Sequence, residues 1–186
     1  PVVVLFIIIL LFNNRVPQTA AYKYSDILDY FQSQEVTGYR LNLGTVRTEE
    51  SVFPSFAPHD ISVLDYLTGS PACKVEAKGA KFLQDKVYDS TLTQLEYPGN
   101  VHAHIYVSWL HPYKQQLLVV IGSKGMLSFD DATREKEIRF YNKRIDFENG
   151  LPVKIEAPDE IIPYEKKMPL EEELKYFVEH LDSTIG

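Results

Sequence analysis

Cysteine is almost absent: Cys73 stands alone in 186 residues. An intramolecular disulfide is thereby excluded, and no Cys/His spacing matches a structural zinc site, so the cytoplasm is the expected compartment. Basic residues are in deficit, with 19 Lys and Arg against 26 Asp and Glu and a formal charge of −7. A protein that grips a phosphate backbone carries the opposite excess, so no nucleic acid partner is expected, although a local basic pocket for a small anion remains allowed. The apolar run from Val2 to Phe12 has eleven residues, against roughly 20 for a spanning helix. It also lacks the basic start and small-residue cleavage site of a secretory signal, so no membrane partner is expected.

Phosphate-binding glycine patterns are missing too. The nine glycines, at 38, 44, 69, 79, 99, 122, 125, 150 and 186, form neither G-x-G-x-x-G nor a phosphate loop. Gly122 and Gly125 lie between two strand patterns, where tight-turn duty is the plainer reading. There is no G-x-S-x-G for a serine nucleophile. Cys73 stands at a strand start with no histidine nearby in sequence and is expected to be a small core residue.

Apolar material is plentiful, at 45% of residues with 12 Tyr and 10 Phe, enough for a globular fold. The length suits one domain over 1–186, given a prior of about 150 residues per domain. Val2 to Phe12, rich in Val and Ile and ended by Asn13-Asn14, reads as a strand buried on both faces. A chain opening on such a strand, with Pro1 and no initiator Met, is expected to be a piece of something longer.

Tyr24, Ile27, Leu28 and Phe31 form one stripe on a helix of about residues 18 to 32, entered after Pro17. From Val36 to Val46 the pattern alternates, with Tyr39, Leu41 and Leu43 facing one way and Arg40 and Asn42 the other. Arg47 to Ala57 shows no periodicity and reads as a loop. A short helix follows from about His59, stopped by Gly69 and Pro71. Strands are expected over about 72–79, 87–97, 101–110, 114–122, 126–130 and 137–146, joined by short turns into a meander. A last helix begins at Pro169 and should lay Leu170, Leu174, Phe177, Val178 and Leu181 on the sheet. The fold class is α+β: an open-faced, mostly antiparallel mixed sheet of about six or seven strands with helices on one face.

Two constellations carry chemistry. His102 and His104 face the same way on a strand, with Tyr106 and Ser108, opposite the apolar Val101, Ala103, Ile105, Val107 and Trp109. They could begin a metal site completed by His59 or a carboxylate, or form a polar sheet face at an interface. The second is Ser55-Phe-Ala-Pro-His59-Asp60 at a loop-to-helix junction. The positive end of the helix dipole favours a neutral imidazole there, a state suited to accepting a proton. Equally, Asp60 is an ordinary first-turn acid and His59 a surface residue.

Arg40-Leu-Asn-Leu-Gly44-x-Val46-Arg47-Thr-Glu-Glu50, Phe56-Ala-Pro-His59-Asp60-Ile-Ser62, Val107-Ser-Trp109-Leu-His111-Pro and Val120-Ile-Gly122-Ser-Lys-Gly125-Met together resemble the C-terminal domain of the Gfo/Idh/MocA oxidoreductases. The resemblance is nearest to the branch acting on free or nucleotide-linked sugars, and it extends to Val2 to Gln32 as the last strand and crossover helix of that family's Rossmann domain. It implies NAD or NADP held by a Rossmann domain outside this chain, a sugar or nucleotide-sugar substrate, and a homo-oligomer formed through the sheet face. The histidine matching His59 is assigned there to proton transfer during hydride removal from a sugar carbon, a task for a base of suitable pKa. Ser55 stands where the family often has aspartate. Arg40, Asn42, Arg47, Ser55 and Asp60 are the expected substrate contacts, since Arg can fork onto phosphate.

Three functions follow as expectations. The first is the substrate-binding and dimerisation domain of an NAD(P)-dependent sugar dehydrogenase, inactive without its cofactor domain and not itself binding the dinucleotide. The second is a non-catalytic oligomerisation or sugar-binding module. The third is a metal-dependent small-molecule binder using His102 and His104.

Overall fold

The computed structural model describes residues 35–164 and 169–179; the strand and helix expected over 1–32 lie outside the described residues. Ten strands and three helices follow one another as β1 (Glu35–Leu43), α1 (Val52–Phe56), α2 (Pro58–Thr68), β2 (Lys74–Ala80), β3 (Ser90–Tyr97), β4 (Val101–Ser108), β5 (Leu110–Ile121), β6 (Met126–Asp130), β7 (Ile138–Tyr141), β8 (Lys143–Glu148), β9 (Leu151–Glu156), β10 (Glu160–Ile162) and α3 (Pro169–Glu179). Eight strands form one sheet in the order β10-β7-β6-β5-β1-β4-β3-β2, and β8 with β9 makes a separate hairpin. The fold is α+β and mostly sheet. Among the described residues only the β1–β4 pair is parallel.

The expected meander is interrupted at its centre. β1 inserts between β4 and β5, strands separated in sequence by Trp109 alone, pairing parallel with β4 and antiparallel with β5. The chain crosses the end of β1 at Trp109, whose carbonyl accepts a hydrogen bond from Gly44 N–H at 3.4 Å. Short links favour adjacent strands, but a strand arriving from earlier in the chain can occupy the gap if its inner face completes the core. Val36 on β1 is buried to 1% exposure in that core.

β4 alternates as its sequence demands. Ala103, Ile105 and Val107 are fully buried beneath α1 and α2, with Trp109 just beyond, and each large apolar side chain withdrawn from water contributes about 1.5–3 kcal/mol. His102, His104 and Tyr106 face the open side. On β1 the face that carries the polar Arg40 and Asn42 is the one turned to the helices, and Leu41 on the other face is also buried. Arg40, taken with Asn42 as the polar outer face, points inward and is 5% exposed, because α2 brings Asp60 against it. Gly38 lies against the same carboxylate: a Cβ there would make ordinary contact with Asp60 Cγ at 3.4 Å.

α2 begins at Pro58 and ends at Gly69 in the left-handed conformation, φ 68°, as its stop and start signals imply. The 47–57 segment, expected as loop, contains α1, a helix too short to display periodicity, anchored by fully buried Val52 and its N–H bond to the Tyr88 carbonyl. The strand expected over 137–146 breaks at Asn142 into β7 and β8. Asn149 and Gly150, at φ 53° and 78°, provide the two positive-φ positions that a tight β8–β9 turn needs. Cys73 is exposed rather than in the core, its thiol donating to the Glu96 carbonyl at 3.1 Å. The α3 stripe does not settle on the described sheet: Leu170, Leu174, Phe177 and Val178 are all exposed. Amphipathicity calls for burial of one helix face without specifying which surface supplies it.

Candidate functional site

Where β1 leaves the core, alternation places Arg40 and Asn42 on its helix-covered side. Antiparallel pairing puts Gln116 of β5 directly opposite Arg40, with Lys114 two residues away on the same face. The junction of α1 and α2 closes the space with Ser55, Phe56 and His59. These side chains line a cavity of about 220 Å³.

Arg40 is the buried floor. Its Nε donates to Asp60 Oδ2 at 2.8 Å. Burial pushes the Asp60 carboxyl above the usual carboxylate range, opposed by the adjacent Arg40 charge and hydrogen bond. His59, half-buried at the second position of α2, is pushed down by its burial and then by the Arg40 charge. It is therefore a neutral imidazole at neutral pH. Ser55 Oγ donates to Glu50 Oε1 at 3.0 Å. The side chains of Asn42, His59, Lys114 and Gln116 have no hydrogen-bond or ion-pair partner among the described residues. A concave site lined by one aromatic ring and several unpartnered polar groups is suited to a small polyhydroxylated ligand.

Of the six expected site residues, the cavity unites Arg40, Asn42, Ser55 and His59. Asp60 lies behind Arg40, 4% exposed and away from the cavity lining. Arg47 stands outside it, engaged with Glu50 through its guanidinium and with Gln84 through its carbonyl. Sequence reading missed Phe56, Lys114 and Gln116. Nothing local marks Lys114 or Gln116; only the β1–β5 register brings them to His59.

His102 and His104 belong to a second cavity, of about 600 Å³, on the open face. His104 Nδ1 lies 3.2 Å from Glu35 Oε1, and His102 Nε2 lies 3.4 Å from Asn100 Oδ1. His59, on α2, is on the other side of the sheet and does not complete this pair. Among the described residues no group of three or more His, Cys, Asp or Glu is placed to hold a metal ion.

The described residues thus form an open α+β sheet whose helix-covered side carries a histidine-containing polar cavity. The GFO/IDH/MocA C-terminal domain model matches residues 33–128, and the chain belongs to that family. Among solved structures, UDP-N-acetylglucosamine 3-dehydrogenase GnnA from Acidithiobacillus ferrooxidans is similar in fold, with a TM-score of 0.66 at 19% identity over 81% of this chain and 47% of that one. An aldose-aldose oxidoreductase from Caulobacter crescentus, solved with glycerol, gives a TM-score of 0.60 at 17% identity over 85% of this chain and 50% of that one. The chain spans about half the length of these structures. No curated protein matches it in sequence. Among the described residues no helix is long and apolar enough to cross a membrane.

The NAD or NADP that the resemblance implies does not fit the N-terminus of α2. The N-terminus of α2 follows another helix rather than a strand, starts with Pro58, which has no N–H, and carries Asp60 in its first turn. A pyrophosphate needs free N–H groups and no adjacent carboxylate.

Proposed function

We propose that this chain is the substrate-binding and dimerisation domain of a cytoplasmic sugar or nucleotide-sugar dehydrogenase dependent on NAD or NADP, and that it is inactive without a cofactor-binding domain. The half-buried His59, lining one cavity with Asn42, Lys114 and Gln116, whose side chains have no partner among the described residues, is the observation that carries the reading. In it, Asn42 and Gln116 hold substrate hydroxyls, the Phe56 ring lies against the carbon skeleton, and His59 takes the proton of the hydroxyl being oxidised. A base that is neutral at working pH and partly withdrawn from water is matched to that task. Arg40 holds the floor and biases His59 toward its neutral form.

Dimerisation is supported by the open face. Tyr39, Tyr106, Leu117, Val119 and Ile121 lie there only partly covered, and Leu92 is 51% exposed. An apolar cluster of this kind, set among polar residues of the same face, is what an interface buries, and a two-fold copy is the simplest cover.

Two measurements test the proposal. NMR titration of the chain with a hexose is expected to shift the His59 ring and the Asn42 and Gln116 side-chain amides; no shift at these groups overturns the site. In the protein joined to its cofactor domain, His59→Ala is expected to lower kcat by about 10²-fold or more. A kcat unaffected by that change assigns the base elsewhere, and sugar binding with no turnover in the joined protein identifies a non-catalytic sugar-binding module instead.

A further inference from the structure

The charges around the cavity are unequal in their commitments. Arg40 is bound to Asp60. Arg47 is bound to Glu50, outside the cavity, and Glu50 also receives the Ser55 hydroxyl. His59 is neutral at neutral pH because burial and the Arg40 charge lower its pKa. Lys114 is the lining cation with no carboxylate partner among the described residues, in a chain with seven more acidic than basic side chains, 26 against 19. The carboxylates nearest β5 along its β6 neighbour are also engaged: Asp130 Oδ1 accepts from Ala132 N–H at 2.9 Å, and Asp131 Oδ1 pairs with Lys136 Nζ at 2.6 Å.

Depth adds a direction. Along one face of the β1–β5 pair, Arg40 is buried, Gln116 opposite it is half-buried and Lys114 is exposed, so the lysine marks the cavity mouth. The volume, about 220 Å³, falls below the roughly 300–1,000 Å³ common for whole-ligand pockets. It suits one sugar ring, and any further substituent projects past the mouth.

We infer that Lys114 is a specificity-determining residue that selects an anionic sugar, one whose ring enters the cavity while a carboxylate or phosphate oxygen pairs with Lys114 Nζ at the mouth. The inference rests on reading the cavity as a sugar site. It moves the anion-holding role from the two arginines, whose guanidinium groups already have carboxylates, to a lysine that has none among the described residues. A charged hydrogen bond at the cavity mouth discriminates charged from neutral ligands of the same shape.

The test compares glucose, glucuronate and glucose 1-phosphate by calorimetric or NMR titration of the 186-residue chain at low ionic strength. At least one anionic sugar is expected to bind about tenfold tighter than glucose. Lys114→Met is expected to bring that ratio to about one, whereas Lys114→Arg retains it. Preference for glucuronate alone or for glucose 1-phosphate alone supports the inference and names the anion. Equal binding of all three by the wild-type chain, or a preference that survives Lys114→Met, overturns the role of Lys114 and leaves the sugar site standing. Failure of all three to bind overturns the sugar-site reading and this inference with it.

Discussion

Arg40 Nε donates to Asp60 Oδ2 at 2.8 Å, and only 6% and 5% of the two side chains remain exposed. This pair joins β1 to α2 directly beneath the candidate base, His59. Its geometry explains why a basic residue occupies the inner face of a central strand, and why Asp60 is a support for the cavity floor rather than part of its lining.

Removing one member of a buried pair leaves the other charge uncompensated. Asp60→Ala is expected to destabilise the fold by about 3–5 kcal/mol, whereas replacing both residues, as Arg40→Met with Asp60→Leu, recovers much of that loss. Urea unfolding measures both. Equal destabilisation by the single and double changes would show that the pair is not energetically coupled.

His59 has a lowered pKa, so its unfolded form protonates first as pH falls. Below about 6.5 the unfolded state takes up a proton that the folded state resists, and stability declines until the folded value is passed. His59→Gln should remove this component of the acid dependence. The same lowering places the acid limb of kcat/KM for the completed enzyme below about 6.5. An acid limb above that value, after correction for substrate ionisation, would assign the base elsewhere.

Asp89 is fully buried, and its carboxylate receives Trp109 Nε1 at 2.7 Å together with the N–H groups of Phe82 at 2.6 Å and Leu83 at 2.9 Å. Burial would raise its pKa, but these donors hold it below the usual range. The sign is that of a depressed acid: the stabilisation is present above about 4 and lost as pH falls through the lower folded value. Asp89→Asn should flatten the acid unfolding profile. Trp109→Phe, which removes one donor from a buried acceptor, is expected to cost about 1–3 kcal/mol. Thermal melts across the acid range decide both.

For the open face, light scattering of the chain at micromolar concentration is expected to return twice the 21.4 kDa chain mass. Tyr39 and Tyr106 are neighbours across the β1–β4 pair on that face. Tyr106→Glu, which sets an uncompensated charge in such an interface, should give the monomer mass. A monomeric wild-type chain removes the sheet-face dimer from the proposal.

Local pattern was enough to read much of the fold. The two faces of β4 follow from strict alternation between Val101 and Trp109, and the limits of α2 follow from Pro58 and Gly69. The Asn149-Gly150 turn is also written locally, in two adjacent residues suited to positive φ. Half of the cavity was legible for the same reason: Ser55, Phe56 and His59 lie within five residues on one helix junction, although the lining role of Phe56 was not recognised.

What the sequence determined by itself was therefore periodicity, breaks and composition: an α+β chain, an apolar strand face against a polar one, and a histidine at a helix start. Tertiary structure alone decided that β1 enters between β4 and β5, that Arg40 points inward, and that Gln116 and Lys114 meet His59. Alternation and capping are set by neighbours a few residues apart and can be read along the chain. Strand order is chosen by competition among distant surfaces for burial, and an arginine turns inward only where the fold brings a carboxylate to meet it.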